Sequence, residues 1–216
     1  MAHYQLKVCG ITNLADARFA AGAGVHFLGF IFVEQSPRYI EPSMVGAIVE
    51  WVEGPKKVGV FQNHDLQYVT ETAKMVGLDM IQLHGQEDPA YCAAIQSQLP
   101  VIKVFSISEH TTASDLQAGL DMYNDTVDYF LFDTKVGGQE GGTGITFNWD
   151  LLSSLSIKKP YFLSGGLSVD TIEDAIRATR HQPPLAFDVS SKIEESVGIK
   201  DFDKLSSLID KLEFTL

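Results

Sequence analysis

Only two cysteines, Cys9 and Cys92, occur among 216 residues, and the Met1–Lys7 segment has neither the basic start nor the apolar stretch of a secretory leader. A disulfide framework is therefore not expected, and the cytoplasm, where thiols stay reduced, is the expected setting. Cations are scarce as well. Lys and Arg number 16 against 28 Asp and Glu, giving a net charge of −12 with no basic run. This argues against nucleic acid as a partner, because phosphate backbones are met by clustered cations. No apolar stretch approaches a membrane span, so no membrane partner is expected either. Cys-x-x-Cys and His-x-x-x-His are missing, and no Gly-x-Gly-x-x-Gly follows the first apolar run. These absences weigh against a metal site and against a dinucleotide cofactor. No Pro/Ser-rich linker interrupts the chain, and its length suits one domain over residues 1–216.

What is present is an ordinary globular balance, 45% hydrophobic and 20% charged. Eight short β-rich segments stand out: Gln5 to Cys9, His26 to Phe32, Lys57 to Phe61, Met80 to Leu83, Val101 to Phe105, Tyr129 to Phe132, Tyr161 to Leu163 and Leu185 to Val189. Most are continuous apolar runs, the pattern of strands buried on both faces of a parallel sheet. Helical patterns separate them. Asn13 is placed to cap Leu14 to Ala21, Pro42-Ser43 opens Met44 to Val52, and Asp65 caps Leu66 to Val76 before Gly77. Asp88-Pro89 starts Ala90 to Gln98, Ser168 precedes Val169 to Thr179, and Asp201 starts a last helix to Leu212. Shorter helices are expected over Asp115 to Tyr123 and Phe147 to Leu155. The alternation predicts an α/β fold with right-handed crossovers. Local pattern does not separate an open doubly wound sheet from a closed one. Eight units, with reactive residues on early and late strands alike, favour a closed (β/α)₈ TIM barrel.

The strand ends carry the chemistry. Cys9-Gly10 ends the first run, with Lys7 on the same face by period-two alternation. Asp133-Thr134 ends the sixth and leads to Gly141-Gly142-Thr143-Gly144. His84-Gly85, Ser164-Gly165-Gly166 and Asp188-Val189-Ser190-Ser191 end others. In a barrel the strand C-termini converge on one mouth, and the last two loops often cradle phosphate with backbone N–H groups. A buried cysteine at Cys9 and a loop brace at Asp133 are the blander alternatives. A cation beside Cys9, with Lys7 the nearest candidate, would favour thiolate and make it a base or nucleophile. Burial of Asp133 would raise its pKa and suit it to general acid work. Arg38, in Ser36-Pro37-Arg38, has the fork that matches a carboxylate, or else forms a salt bridge.

With these residues in view, the chain resembles the phosphoribosylanthranilate isomerases of tryptophan biosynthesis. The resemblance runs nearly end to end, from Lys7-Val8-Cys9-Gly10-Ile11 to Val189-Ser190-Ser191 and Lys200-Asp201. Between them lie Gly29-Phe30-Ile31-Phe32, Ser36-Pro37-Arg38, Val58-Gly59-Val60-Phe61, Gln82-Leu83-His84-Gly85, Asp133-Thr134, Phe147 and Trp149, and Leu163-Ser164-Gly165-Gly166-Leu167. The resemblance implies a barrel that rearranges N-(5'-phosphoribosyl)anthranilate to 1-(2-carboxyphenylamino)-1-deoxyribulose 5-phosphate without a cofactor or metal. Asp133 would be the general acid, Cys9 the general base and Arg38 the carboxylate anchor. Gly165, Gly166, Ser190 and Ser191 would hold the phosphate, with Lys7, His84 and Asp188 lining the site. The small phosphorylated substrate is the implied partner. Fusion to, or association with, other tryptophan-pathway enzymes stays open.

Three positions depart from the family pattern: Lys192 replaces a usual Gly, Val197-Gly198 a Pro-Gly, and Asp170 a frequent Asn. Lys192 would add a cation near phosphate or strain a backbone suited to glycine, and an inward Asp170 would repel phosphate. Two rival readings remain at this stage. One is another phosphosugar isomerase or epimerase on the same barrel; the other is a catalytically silent barrel that binds a phosphorylated metabolite.

Overall fold

Short apolar runs can satisfy their backbone only by pairing, and runs apolar on both faces must pair inside a layer of helices. The computed structural model describes residues 4–136, 139–140 and 149–214. Its parallel strands are β1 (Gln5–Cys9), β2 (Phe27–Ile31), β3 (Lys56–Phe61), β4 (Met80–Leu83), β5 (Val101–Ile107), β6 (Tyr129–Val136), β7 (Tyr161–Leu163) and β8 (Ala186–Val189). Each pairs with its neighbour in sequence, and β1 also pairs with β8, so the sheet closes. The result is an eight-stranded parallel barrel, not an open sheet. The Gly141-Gly142-Thr143-Gly144 stretch and Phe147 lie outside the described residues.

Helices α1 (Leu14–Gly22), α2 (Pro42–Val49), α3 (Leu66–Val76), α4 (Pro89–Gln96), α5 (Ala113–Tyr123), α6 (Ile172–Ala178) and α7 (Phe202–Phe214) connect the strands. A 3₁₀ helix, Trp149–Ser154, stands where a short helix is expected after β6. The caps follow the sequence: the Asn13, Asp65 and Asp88 side chains each accept a hydrogen bond from the first turn of their helix. Gly77 takes φ 75° and ends α3. The helix expected from Val169 instead begins at Ile172. Ser168 Oγ accepts from the Asp170 N–H at 3.1 Å, and Thr171 Oγ1 accepts from the Ser168 N–H at 2.9 Å. These local bonds hold the backbone in a turn before the helix can start.

Two separate cores result. The larger lies between strands and helices and includes Val8, Leu28, Phe30, Phe132 and Leu163 from the strands with Ala17, Val45, Val69 and Ile172 from the helices. The smaller fills the barrel interior with Phe27, Val58, Met80, Ile102, Val104, Leu131, Phe162 and Ala186. Continuing the period-two alternation along the same strands leads from this plug to Gly29, Gln82, Asp133 and Asp188, and on β1 Cys9 pairs with Gly29 and Lys7 with Asp188. The interior is thus apolar at one level and polar towards the strand C-termini. Replacing the α3 cap, Asp65→Ala, is expected to lower stability by about 1 kcal/mol without changing catalysis. Urea unfolding checks this, and an unchanged midpoint would remove the cap from the account.

Candidate active site

β1 and β8 run side by side with Lys7 opposite Asp188. The Lys7 ammonium donates to both Asp188 carboxylate oxygens at 2.9 Å, and Lys7 is fully buried. Burial works against the Lys7 charge, but the Asp188 carboxylate and the Cys9 side chain outweigh it and raise the Lys7 pKa. On Asp188 the balance is reversed. Burial raises its pKa, and Lys7, bound to it, and Lys200 act to lower it.

Cys9 follows two residues after Lys7, is buried and carries a free thiol. The expectation that Lys7 favours thiolate holds in direction but not in outcome. Burial raises the Cys9 pKa above the ordinary thiol range; Lys7 and Lys200 lower it, while Asp188 raises it further. At rest Cys9 is a thiol poised among charges, not a standing thiolate. Cys9 pairs with Gly29 of β2, and there the absence of a side chain matters. A Cβ on Gly29 would lie 2.7 Å from Cys9 Sγ.

Asp133, on β6, is 5% exposed. Burial first and the Asp188 carboxylate second push its pKa up to about 7, against hydrogen bonds from the Thr134 N–H and Ser164. The Thr134 N–H to Asp133 Oδ1 distance is 2.9 Å, and His84 Nε2 lies 3.7 Å from Oδ2. Cys9 and Asp133 thus share the Lys7–Asp188 pair as a common neighbour, although 124 positions separate them (133 − 9).

His84 owes its place to a clamp that sequence reading missed. Buried Lys103 donates to the Gly85 carbonyl at 2.8 Å and to Glu87 at 2.7 Å. Glu87 in turn accepts from the Asn63 and Gly85 N–H groups at 2.8 and 3.0 Å. A lysine inside an apolar strand run is the signal that pointed to this pairing, because a buried cation requires a partner.

Arg38 is not free to await a ligand. Its Nε and Nη2 each donate to Glu194 at 2.8 Å, so the salt-bridge alternative is realised. Glu194 was not singled out from sequence, and Ser164, Gly29 and Lys200 were named only within motifs, with no role given. The side-chain stem of Arg38 crosses the mouth beside Gly10 and Ser190: a Cβ placed on Gly10 would be 2.7 Å from Arg38 Cδ and 3.3 Å from Ser190 Oγ.

Gly165 and Gly166 follow β7 with φ of 91° and 69°, and Ser190-Ser191 follow β8 into a 3₁₀ turn over Ser191–Ile193. Both pairs stand at the strand C-termini, as the barrel requires. The three departures prove mild. Lys192 is exposed, and Asn63 is the single non-glycine residue with positive φ among the described residues, so Lys192 carries no left-handed strain. Val197 is exposed at a hairpin tip whose Gly198 keeps φ 82°. Asp170 is exposed, and its N–H is held by Ser168.

A closed (β/α)₈ barrel with a buried thiol, a carboxyl near neutral pKa and a paired arginine at its strand C-termini defines an acid–base barrel enzyme. A model of the N-(5'-phosphoribosyl)anthranilate (PRA) isomerase family matches residues 6–211. An N-(5'-phosphoribosyl)anthranilate isomerase from Nitrosomonas eutropha is 41% identical over 208 residues, 94% of this chain and 93% of that protein. The crystal structure of the phosphoribosyl anthranilate isomerase of Thermus thermophilus superposes with a TM-score of 0.84 at 29% identity, covering 97% of this chain and 98% of that one. A phosphoribosyl anthranilate isomerase in complex with reduced 1-(o-carboxyphenylamino)-1-deoxyribulose 5-phosphate superposes with a TM-score of 0.81 at 32% identity over 97% and 98%. The chain belongs to the PRA isomerase family.

Gly29→Ala is expected to displace the thiol and lower kcat/KM at least about tenfold with the fold retained, since small misplacements of a reacting group are costly. Steady-state kinetics beside a circular dichroism spectrum decides it. Wild-type kcat/KM would mean that the position of Cys9 is not critical.

Proposed function

We propose that Cys9 and Asp133 carry the two proton transfers of the PRA isomerase reaction in this chain. The observation that bears most weight is the Asp133 carboxyl, buried at the barrel mouth with its pKa near 7 and sharing the Lys7–Asp188 pair with Cys9. A carboxyl of that pKa stays protonated in part at neutral pH and can donate.

The substrate is a furanose bearing a phosphate at one end and an anthranilate carboxylate at the other. Asp133 donates its proton to the ring oxygen as the C1–O bond breaks, and the amine lone pair forms the Schiff base. Cys9 then removes the proton from C2, and the electron pair moves toward the iminium nitrogen to give an enolamine. Tautomerisation yields the aminoketose, the compound whose reduced form the related enzyme holds in its crystal structure. Arg38 holds the carboxylate, and the backbone N–H groups of Gly165-Gly166 and Ser190-Ser191 hold the phosphate. Two anion sites fix the ends and leave the sugar between acid and base. Lys7, His84 and Asp188 line this space, with Lys7 and Asp188 setting the charge both groups feel. The chemistry is complete with side chains alone, and the cytoplasm is the compartment in which both buried thiols remain free.

Cys9→Ala and Asp133→Asn are each expected to lower turnover at least about 100-fold with folding intact. The pH dependence is sharper. Asp133 must be protonated and Cys9 ionised, yet the Asp133 pKa, about 7, lies below that of Cys9. Below pH 7 each step upward adds thiolate while the acid stays protonated; above it, the gain in thiolate is offset by loss of acid. kcat/KM should therefore rise to about pH 7 and then level off. Asp133→Asn should erase that break. A break that survived in the variant would assign it to another group.

A further inference from the structure

Arg38 is held by two residues that the proposed chemistry does not use. Glu194 and Lys200 face each other in the short antiparallel hairpin that follows β8, Glu194–Ser196 paired with Ile199–Lys200. Both are buried. Glu194 accepts from Arg38 through both carboxylate oxygens and from the Lys200 ammonium at 2.8 Å. Lys200 also donates to the main-chain carbonyl of Cys9 at 2.8 Å, and its N–H donates to Asp16 on α1 at 2.9 Å.

Two consequences follow from this arrangement. Glu194 occupies the Nε/Nη2 edge of the guanidinium, which leaves the Nη1 side of the fork for a second carboxylate; among the described residues no group but Glu194 accepts from the guanidinium. The charge count also matters. An isolated Arg38–Glu194 pair is neutral and attracts no anion. Adding Lys200 brings the ion-paired group of two cations and one anion to +1, with the Asp16 carboxylate set behind it on the Lys200 main chain. Burial lowers the Lys200 pKa, and the adjoining Glu194 offsets only part of this.

We infer that Glu194 and Lys200 are positioning residues for the substrate carboxylate: Glu194 orients Arg38 by one edge, and Lys200 restores the net positive charge and ties the assembly to the backbone of Cys9. This rests on the reading of Arg38 as the carboxylate anchor. The distance between anchor and base is then set by a chain of side chains, Arg38 to Glu194 to Lys200 to Cys9, instead of by the loop after β2 alone.

The test is a set of steady-state kinetics on the full chain with phosphoribosylanthranilate. Glu194→Gln should raise KM about 10-fold while kcat changes less than about 3-fold, because the lost orientation acts on carboxylate binding in ground and transition states alike. Glu194→Asp, which keeps the charge but shortens the reach, should fall between. In an Arg38→Ala background the further effect of Glu194→Gln on KM should shrink to within about 2-fold, as residues acting through one another are not additive. An undiminished effect in that background would overturn the inference, since Glu194 would then act on the fold or on another group. If Arg38→Ala alone left KM unchanged, the carboxylate anchor itself would be misassigned, which is a separable failure. Should Glu194→Gln leave Lys200 too poorly paired to fold, the double variant Glu194→Gln/Lys200→Met removes both charges together. A KM raised about 10-fold supports the inference there, and a wild-type KM overturns it.

Discussion

The Lys7–Asp188 ion pair is the interaction around which the site is organised. It joins the first strand to the last at the seam where the barrel closes, and both charges lie out of water. Two such charges are tolerable in the interior only together, and loss of one partner leaves the other uncompensated at a cost of about 3–5 kcal/mol. The pair therefore constrains register: slipping β1 by one residue would turn Lys7 into the apolar layer between sheet and helices. It also sets the field felt by Cys9 and Asp133.

That field separates the roles proposed for Cys9 and Asp133. Both are buried, so both lose solvation for their charged forms. Asp133 feels the Asp188 carboxylate as its next largest influence and is held near 7. Cys9 feels Lys7 most strongly after burial, yet remains above the ordinary thiol range. The Asp188 carboxylate acts to raise both pKa values; Lys7 offsets part of this at Asp133 and outweighs it at Cys9, where burial keeps the pKa up. An acid that keeps its proton and a base that must be ionised in place can stand in the same water-poor mouth on those terms.

Around this centre the remaining charged side chains are committed to structure as well as to chemistry. Lys103 and Glu87 clamp the loop that carries His84, and Glu194 and Lys200 hold Arg38. In each case a lysine and a glutamate are buried as partners near the strand C-termini, where a buried charge alone would be intolerable. Removing either partner would unpair a buried charge as well as release the residue it holds.

The sequence by itself determined the eight strands, most helix caps and the sites where chemistry ends a strand. These depend on short-range periodicity, on Asn or Asp at helix starts and on glycine at turns, which are local properties. Cys9, Asp133 and the two glycine–serine loops could be named because each sits at such an end, and Arg38 from its place in the loop after β2. Helix α6 beginning at Ile172 escaped, because Ser168 and Thr171 hydrogen-bond locally in a way that a capping pattern does not reveal. The Lys7–Asp188 pairing at the seam, the Glu194 fork on Arg38, the clearance Gly29 gives to Cys9 and the burial that keeps Cys9 a thiol were decided only by the tertiary structure. These depend on distances between residues as far apart in sequence as Lys7 and Asp188, and on the loss of water around them. Neither is written in the neighbourhood of any one residue.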